Sequence, residues 1–250
     1  MFFSSGPSIK NGKEVIKGLY YFPEVGMLDC NQYIIHERTS DELILFDAGN
    51  GITMNGLIKG LDKIGLDYTN ITNIFITHEH VDHVLGLYPL MKLLKDYPPK
   101  IHALGETARI LQSGDESRIF PENLGINASM FGIEIIPLKV NELVDGQKIK
   151  LSNEYTFRVL YTPGHSLGSA CYYEPLKKIL IPGDLVFIGG SFGRYDFPGG
   201  SLPVLIESIK KVNDLDVKYL LPGHMGISTN GNREIQHSYA VIQSLKSYFF

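Results

Sequence analysis

Three histidines and one aspartate are concentrated in a single hexapeptide, His78-Glu79-His80-Val81-Asp82-His83. These three are drawn from only eight histidines in the whole chain, so their clustering is the first feature to explain. Neutral imidazole nitrogens and carboxylate oxygens hold zinc and similar divalent ions in open, reactive sites. The hexapeptide therefore predicts a metal centre. The simpler alternative is a polar surface loop in which Asp82 caps the following helix.

Three further candidate ligands share one local pattern, because each follows an apolar run that closes in Pro-Gly. The three junctions are Pro163-Gly164-His165, Pro182-Gly183-Asp184 and Pro222-Gly223-His224. Short apolar runs closed in this way are typical of buried strands that enter loops. We expect four strands, counting the one before the hexapeptide, to deliver ligands at their carboxyl ends, where open α/β sheets build their sites. Glycine before a ligand lets the backbone bend tightly near a crowded centre.

The number and type of these residues favour two metal ions over one. Seven candidate ligands, all His or Asp, are too many for one tetrahedral ion, and structural zinc sites are normally closed by four ligands, commonly with cysteine. A water between two ions would lose a proton near neutral pH and act as the nucleophile. We therefore expect hydrolysis of an acyl bond in a thioester, ester or lactone. A thiolate leaves without a general acid, which suits a site poor in spare proton donors.

The hexapeptide, followed in order by His165, Asp184 and His224, resembles the ligand set of the metallo-β-lactamase superfamily. The resemblance covers nearly the whole chain and implies an α/β fold, an αββα sandwich of two stacked mixed β-sheets flanked by helices. It implies two divalent metal ions, zinc in the first place, with iron or manganese as alternatives. It also implies that the first ion is held by His78, His80 and His165, that the second is held by Asp82, His83 and His224, and that Asp184 bridges the two. Asp82 is also implied to orient the hydroxide. Asp47, in the early Leu45-Phe46-Asp47-Ala48-Gly49 turn, is implied to orient the metal-binding loop.

A second resemblance concerns the glycine-rich loop at residues 190–200. It is similar to the Gly-Arg-x-Asp-x-Pro-x-Gly loop of small glyoxalase II-like hydrolases, and a related loop occurs in persulfide dioxygenases. Arg194 is the candidate to bind a substrate carboxylate, since guanidinium recognises carboxylates in a bidentate way. The alternative is an Arg194–Asp196 ion pair that only stiffens the loop. Tyr195 is a candidate to line the substrate pocket, with simple packing as its alternative.

The leading prediction is a dinuclear, glyoxalase II-like thioester hydrolase. Glyoxalase II proper carries a helical C-terminal domain that binds glutathione, whereas residues 225–250 leave room for one helix, so glutathione as the thiol stays open. One alternative is a persulfide dioxygenase with a single iron on His78, His165 and Asp184. A lactonase is the other, although family lactonases often place tyrosine where this chain has Phe187.

Length and composition set wider limits. The 250 residues, 44% of them hydrophobic, predict one domain spanning 1–250. A net charge of −4 without a basic run argues against nucleic acid as a partner, so the expected partner is a small-molecule acyl substrate. Without a long apolar run or a signal peptide, we expect a cytoplasmic protein and no membrane partner. The oligomeric state is left open. Cys30 and Cys171 lie in apolar runs and are expected to be buried thiols.

Three histidines, His36, His102 and His237, lie outside the ligand motifs and are expected to be ordinary histidines that bind no metal. The apolar patterning also predicts individual helices and strands. Helices are expected near 54–65, 84–95, 105–112, 202–212 and 232–248, and a long loop over the site at 113–129. Strands are expected near 14–22, 29–37, 42–48, 71–77, 100–104, 132–138, 147–151, 154–161, 168–174, 177–182 and 217–221.

Overall fold

The computed structural model of the chain describes residues 9–120 and 125–249, and within these ranges it contains twelve β-strands and seven α-helices. The helices are α1 (Met54–Lys63), α2 (Val81–Val84), α3 (Leu87–Leu93), α4 (Gly105–Ser113), α5 (Glu116–Ile119), α6 (Leu202–Asn213) and α7 (Gly231–Phe249). The strands are β1 (Lys13–Ile16), β2 (Leu19–Phe22), β3 (Gln32–Glu37), β4 (Glu42–Phe46), β5 (Ile71–Phe75), β6 (Lys100–Leu104), β7 (Val140–Leu143), β8 (Lys148–Lys150), β9 (Thr156–Tyr161), β10 (Ala170–Glu174), β11 (Ile179–Gly183) and β12 (Tyr219–Pro222).

The first sheet has seven strands in the order β1-β2-β3-β4-β5-β6-β7. Strands β1 to β4 pair antiparallel, whereas β5 pairs in parallel with both β4 and β6. The sheet is therefore mixed. Apolar, β-branched and aromatic residues fill its central strands, and Ile34, Leu45 and Ile74 are completely buried. The rings of Phe46 and Phe75 stack across β4 and β5 with centroids 5.6 Å apart.

The second sheet has five strands in the order β12-β11-β10-β9-β8 and is also mixed. Strands β11 and β12 are parallel, and the remaining pairs are antiparallel. Helix α6 presents Leu205, Ile209 and Val212 at helical spacing to a buried cluster that includes Leu180 and Leu220 of this sheet. Helix α7 contacts α6 and adds its own apolar residues to the same cluster. Burial of this apolar face explains why both helices are stable beside the sheet.

Residue contacts cluster into two compact units. The first takes in the chain up to Ile76 together with His80–His102 and Leu111–Asn141. The second takes in Thr77–Glu79, Ala103–Ile110 and the chain from Glu142 onward. The expectation of one domain over residues 1–250 stays a prediction.

Most predicted elements are present, but three were wrong. The run 14–22 is two strands, because Gly18 turns the chain with φ +78° between β1 and β2. The helix expected at 84–95 is the shorter α3, Leu87–Leu93, and a separate helix, α2, precedes it at Val81–Val84. The run 132–138 is irregular and β7 begins only at Val140, since Pro137 cannot donate a hydrogen bond to a neighbouring strand.

The loop expected at 113–129 contains more structure than predicted, with α5 and a 3-10 helix at Ala128–Phe131, while residues 121–124 lie outside the described residues. Within the described ranges, no helix has both the length and the apolar character that a bilayer crossing requires. Both cysteines are buried free thiols, as predicted.

Candidate metal centre

The hexapeptide lies on the connection between β5 and α2. His80 has extended backbone with φ −66° and ψ 151° immediately before α2, and Asp82 and His83 occupy the first turn of that helix. His83 is completely buried, His78 and His80 are buried, and Asp82 is half-buried. Residues Thr77–Glu79 belong to the second compact unit and His80 onward to the first. The predicted ligands therefore fall into two groups, one in each unit, and the hexapeptide contributes to both.

The group in the second unit consists of His78, His165, Asp184 and His224. The Nε2 atoms of His78 and His165 are 3.1 Å apart. The Oδ2 atom of Asp184 lies 3.2 Å from Nε2 of His224 and 3.7 Å from Nε2 of His165. Four side chains that are distant in sequence thus bring three imidazole nitrogens around one carboxylate.

The orientation of His165 leaves its Nε2 atom available to bind a metal ion. Its Nδ1 atom is 2.6 Å from the backbone carbonyl oxygen of Arg194. A carbonyl oxygen can only accept, so Nδ1 carries the proton and the neutral ring has its lone pair on Nε2. That lone pair faces Nε2 of His78 and the carboxylate of Asp184. This donor set of imidazole nitrogen and carboxylate oxygen fits a divalent metal ion.

The group in the first unit is organised around His83. Its Nδ1 atom donates to Oδ2 of Asp47 at 2.9 Å, which leaves the lone pair of the neutral ring on Nε2. A carboxylate behind a metal-binding histidine fixes the tautomer and the ring orientation. The backbone N–H of Ala48 also donates to the carbonyl oxygen of His83 at 2.8 Å. Asp47 is therefore in contact with a candidate ligand, and its role in orienting the metal-binding loop stays a prediction.

Two features of the first unit were missed from the sequence. The Sγ atom of Cys30 lies within 4.8 Å of ligand atoms of Asp47 and His83, and burial raises the pKa of its thiol. Lys10 is completely buried and forms an ion pair with Asp29 at 2.8 Å. Both depend on contacts between residues far apart in sequence, and neither has a local motif.

That lysine is connected to the Asp47 turn. The Nζ atom of Lys10 also donates to Oε1 of Gln32 at 2.7 Å, and Nε2 of Gln32 donates to the backbone carbonyl of Asp47 at 3.3 Å. The buried lysine thus supports, through one side chain, the turn that orients His83.

The later candidate ligands lie at or shortly after strand ends, as the sequence predicted. Strand β11 ends directly before Asp184, whereas β9 and β12 end a few residues before His165 and His224. Gly183 has φ +54°, and a Cβ atom there would lie 2.7 Å from the side chain of Thr77. Gly164 has φ +124°, and a Cβ atom there would lie 2.3 Å from a backbone nitrogen of α6. Glycine is required at both positions by conformation and by space.

Arg194 and Tyr195 have other partners in the structure. Arg194 forms a two-pronged ion pair with Asp196, with Nε–Oδ1 at 2.9 Å and Nη2–Oδ2 at 2.6 Å. Its guanidinium also stacks on the ring of Phe197 with 4.2 Å to the centroid. Asp196 raises the pKa of Arg194 by accepting this hydrogen bond. Tyr195 packs against the apolar cluster of α6 and α7. Substrate binding by either residue stays a prediction.

The three remaining histidines have ordinary surroundings. His36 pairs with Asp41 at 2.6 Å, and His102 bonds to Asn73 at 2.9 Å. The ring of His237 packs against the backbone of Gly190. These contacts agree with leaving the three histidines outside the metal site.

Several known proteins resemble this chain in sequence. An uncharacterized protein of Aquifex aeolicus (strain VF5) is 33% identical over 189 residues, which cover 75% of this chain and 80% of the relative. The hydroxyacylglutathione hydrolase GloC of Haemophilus influenzae is 29% identical over 185 residues, covering 71% of this chain and 78% of GloC.

Several solved structures have a fold similar to that of this chain. A metallo-beta-lactamase family protein of Thermus thermophilus, TTHA1429, matches with a TM-score of 0.71 at 21% identity, over 92% of this chain and 81% of its own. TTHA1623, solved in a di-iron-bound form, matches with a TM-score of 0.66 at 28% identity, over 85% of this chain and 96% of its own. With two mixed sheets and flanking helices, the predicted fold class is confirmed.

The family model of the metallo-beta-lactamase superfamily matches residues 25–224, a range that includes every candidate ligand from His78 to His224. Members of this superfamily are mostly metal-dependent hydrolases. With its His and Asp groups in place, the chain belongs to the metallo-beta-lactamase superfamily of hydrolases.

Proposed function

We propose that the protein is a dinuclear metal hydrolase that cleaves an acyl bond, with thioesters as its substrate class. One observation carries the proposal: Nε2 of His165, with its Nδ1 proton held by the Arg194 carbonyl, faces Nε2 of His78 at 3.1 Å. These imidazole nitrogens converge beside the carboxylate of Asp184, whose Oδ2 atom lies 3.7 Å from Nε2 of His165. Imidazole nitrogen and carboxylate oxygen together form a donor set for a divalent metal ion.

The residues proposed to hold two divalent ions are those of the two groups. When bound, such ions supply Lewis-acid polarisation of the acyl carbonyl and a lowered pKa for water. Asp184 is proposed to be shared between the ions, because its carboxylate is close to candidate ligands on two separate loops. The proposed set is His78, His80, Asp82, His83, His165, Asp184 and His224, with zinc as the first choice and iron or manganese as alternatives.

The remaining residues favour a thioester. Asp82, half-buried on the first turn of α2, can accept a hydrogen bond from an attacking water and so orient it. A thiolate leaving group needs no general acid, whereas an amide or alkyl ester does. GloC is a hydroxyacylglutathione hydrolase by name, and it is similar to this chain over most of both lengths. We propose a small-molecule acyl substrate and no nucleic-acid partner, in keeping with the net charge of −4.

Arg194 has a conditional role in this proposal. A substrate carboxylate would have to compete with Asp196 for the guanidinium, since both recognise the same donor edge. The pair is more than half exposed, so opening it costs little. We propose that Arg194 exchanges Asp196 for a substrate carboxylate when an anionic thioester binds.

The test combines metal analysis with a substrate screen. We expect up to two divalent ions per chain and higher kcat/KM for thioesters such as lactoylglutathione than for lactones. Asp184→Ala should lose most activity and at least one ion. Asp216→Ala is the matched control, because Asp216 is an exposed carboxylate paired with Lys178 at 2.6 Å on the surface. Full activity with one bound ion, or no thioester turnover, contradicts the proposal.

A persulfide dioxygenase is the second candidate. The group in the second unit brings His78, His165 and Asp184 together, and two histidines with one carboxylate form the ligand set of mononuclear iron oxygenases. Oxygen consumption with glutathione persulfide, together with one iron per chain, would favour this function over hydrolysis.

A lactonase is less well supported. Phe187 is buried and contacts the ring of His224 edge-on, with 5.8 Å between ring centroids. Family lactonases often have tyrosine at this position, and Phe187 offers no hydroxyl to a substrate.

A further inference from the structure

Glu79 is a buried carboxylate that stands between two candidate metal ligands, His78 and His80. It is only 4% exposed. Its Oε2 atom accepts two hydrogen bonds, from Oγ1 of Thr107 at 2.7 Å and from Oγ of Ser166 at 3.0 Å. A carboxylate withdrawn from water is costly unless it is satisfied, so its position calls for an explanation.

The two hydroxyl partners belong to different segments of the second unit. Thr107 lies in the first turn of α4, and Ser166 directly follows His165. Ser166 is itself fixed, because its Oγ atom is 2.9 Å from Oγ of Ser169. There is no spare room: a Cβ atom on Gly168 would lie 2.1 Å from Oγ1 of Thr107 and 2.9 Å from Oε2 of Glu79.

Two cross-links between the same pair of loops therefore lie side by side. His78 and Glu79 are consecutive, as are His165 and Ser166. The Nε2 atoms of the two histidines are 3.1 Å apart, and Glu79 accepts from Ser166 at 3.0 Å. The second link fixes the spacing and register of the two backbones that carry the first. An imidazole pair held in this way is prepared for a shared cation before the cation arrives.

We propose that Glu79 is a positioning residue that sets the distance between His78 and His165 and so raises the affinity of the centre for metal. This inference rests on the proposed metal site but not on the identity of the substrate. Partners that orient metal ligands are typically worth about 10- to 100-fold in metal affinity. The decisive property of Glu79 in this role is an oxygen atom at the correct reach, and its negative charge is secondary.

Two substitutions separate reach from charge. Glu79→Gln keeps the side-chain length and one carbonyl oxygen that can accept from both hydroxyls, but removes the charge. Glu79→Asp keeps the charge but withdraws the oxygen by about 1.5 Å, one carbon–carbon bond. Ser166→Ala removes the donor beside His165 and leaves Glu79 intact. The matched controls are Glu106→Gln and Glu106→Asp, since Glu106 lies in the same first turn of α4 and pairs with Arg109 at 3.1 Å.

The measurement is the dissociation constant for zinc, determined by competition with a chromophoric chelator, with the visible spectrum of the cobalt form and the apo melting temperature recorded for each variant. We expect Glu79→Asp and Ser166→Ala to weaken zinc binding by about 10- to 100-fold and to change the cobalt spectrum. Glu79→Gln should stay within a few-fold of wild type, and both Glu106 variants should match it.

Two results would overturn the inference. One is wild-type zinc affinity in Glu79→Asp and Ser166→Ala, which would leave Glu79 a structural residue only. The other is weakened zinc binding in Glu79→Gln with wild-type affinity in Glu79→Asp, which would assign the effect to charge. If Glu79→Asp does not fold, Ser166→Ala and Glu79→Gln still decide. Because zinc affinity is read without any acyl substrate, failure here is distinct from failure of the proposed thioester hydrolysis.

Discussion

The Nδ1 atom of His165 donates a hydrogen bond to the backbone carbonyl oxygen of Arg194 at 2.6 Å, and this bond connects the glycine-rich loop to the candidate metal centre. The contact uses the backbone of Arg194, whereas its side chain is engaged with Asp196 on the surface. The loop thus makes two separate contacts. Its backbone orients a candidate ligand, whereas the Arg194 side chain pairs with Asp196 and is proposed to exchange it for an anionic substrate.

Gly193 is predicted to be essential for the first role. A Cβ atom at this position would lie 1.9 Å from the carbonyl oxygen of Asp184 and 2.9 Å from Nδ1 of His165. Gly193→Ala must therefore displace the loop and the bond to His165. We expect zinc affinity to fall by about 10- to 100-fold, measured by chelator competition. Gly189→Ala, where the added Cβ meets no atom within 4 Å but φ is +73°, is a nearby control for backbone strain without a steric clash. Unchanged zinc binding in Gly193→Ala would contradict the orienting role of the loop.

Arg194→Ala is predicted to leave zinc binding intact, because the carbonyl oxygen that accepts from His165 remains. If the side chain binds a substrate carboxylate, KM for anionic thioesters should rise while kcat changes little, since uniform binding is lost. Neutral thioesters should be unaffected. Asp196→Asn tests the exchange directly, because weakening the competing ion pair should lower KM for the anionic substrate. Equal effects on both substrate types would assign Arg194 to loop stiffening.

The sequence indicates the candidate metal ligands more readily than the contacts that support them. Metal ligands carry a local signature, since His and Asp at strand ends after Pro-Gly are recognisable without the fold. Glu79 was passed over because a glutamate between two histidines has no special meaning until Thr107 and Ser166 are placed beside it. The reason is physical: hydrogen bonds between residues 28 and 87 positions apart leave no periodicity in the chain.

The predicted bounds of strands were wrong where a single residue interrupts a strand that the apolar pattern favours. Residues 14–22 read as one strand, yet the turn at Gly18 makes them a hairpin. Residues 132–138 read as a strand, yet Pro137 removes a donor and Ile136 is 49% exposed. Between α2 and α3, a Cβ atom on Gly86 would lie 1.9 Å from the carbonyl oxygen of Ala48, so this segment is fitted closely to the Asp47 turn.

Removal of one partner from the buried Lys10–Asp29 pair is predicted to destabilise the protein strongly. Both side chains are fully buried, and Lys10 also donates to the carbonyl oxygen of Cys30 at 2.9 Å. Lys10→Met leaves Asp29 buried without its counter-ion, which costs about 3–5 kcal/mol of unfolding free energy. Urea denaturation measures this loss. Lys10→Met combined with Asp29→Asn should lose less than the sum of the single changes, because the uncompensated charge is then absent. Additive losses would show that the two charges do not interact.

His102 is predicted to make the protein sensitive to mild acid. Burial, with a smaller effect from the charge of Lys100, lowers the pKa of His102 to about 4, while its ring stacks on Phe75 at 4.5 Å. In the unfolded chain a histidine has a pKa near 6.5, so below that pH the unfolded state binds a proton that the folded state does not. The contribution of His102 to stability is therefore complete above about pH 6.5 and falls progressively as the pH drops towards 4.

The test is the pH dependence of unfolding in urea for the wild-type protein and for His102→Gln, which keeps a hydrogen-bonding group near Asn73 but does not titrate. We expect both proteins to lose stability in acid through their carboxylates, and the wild type to lose more between pH 6.5 and 4. The exposed part of the ring reduces the size of the difference, so its sign is the diagnostic result. Parallel curves for the two proteins would mean that His102 takes up its proton as easily in the folded chain as in the unfolded one.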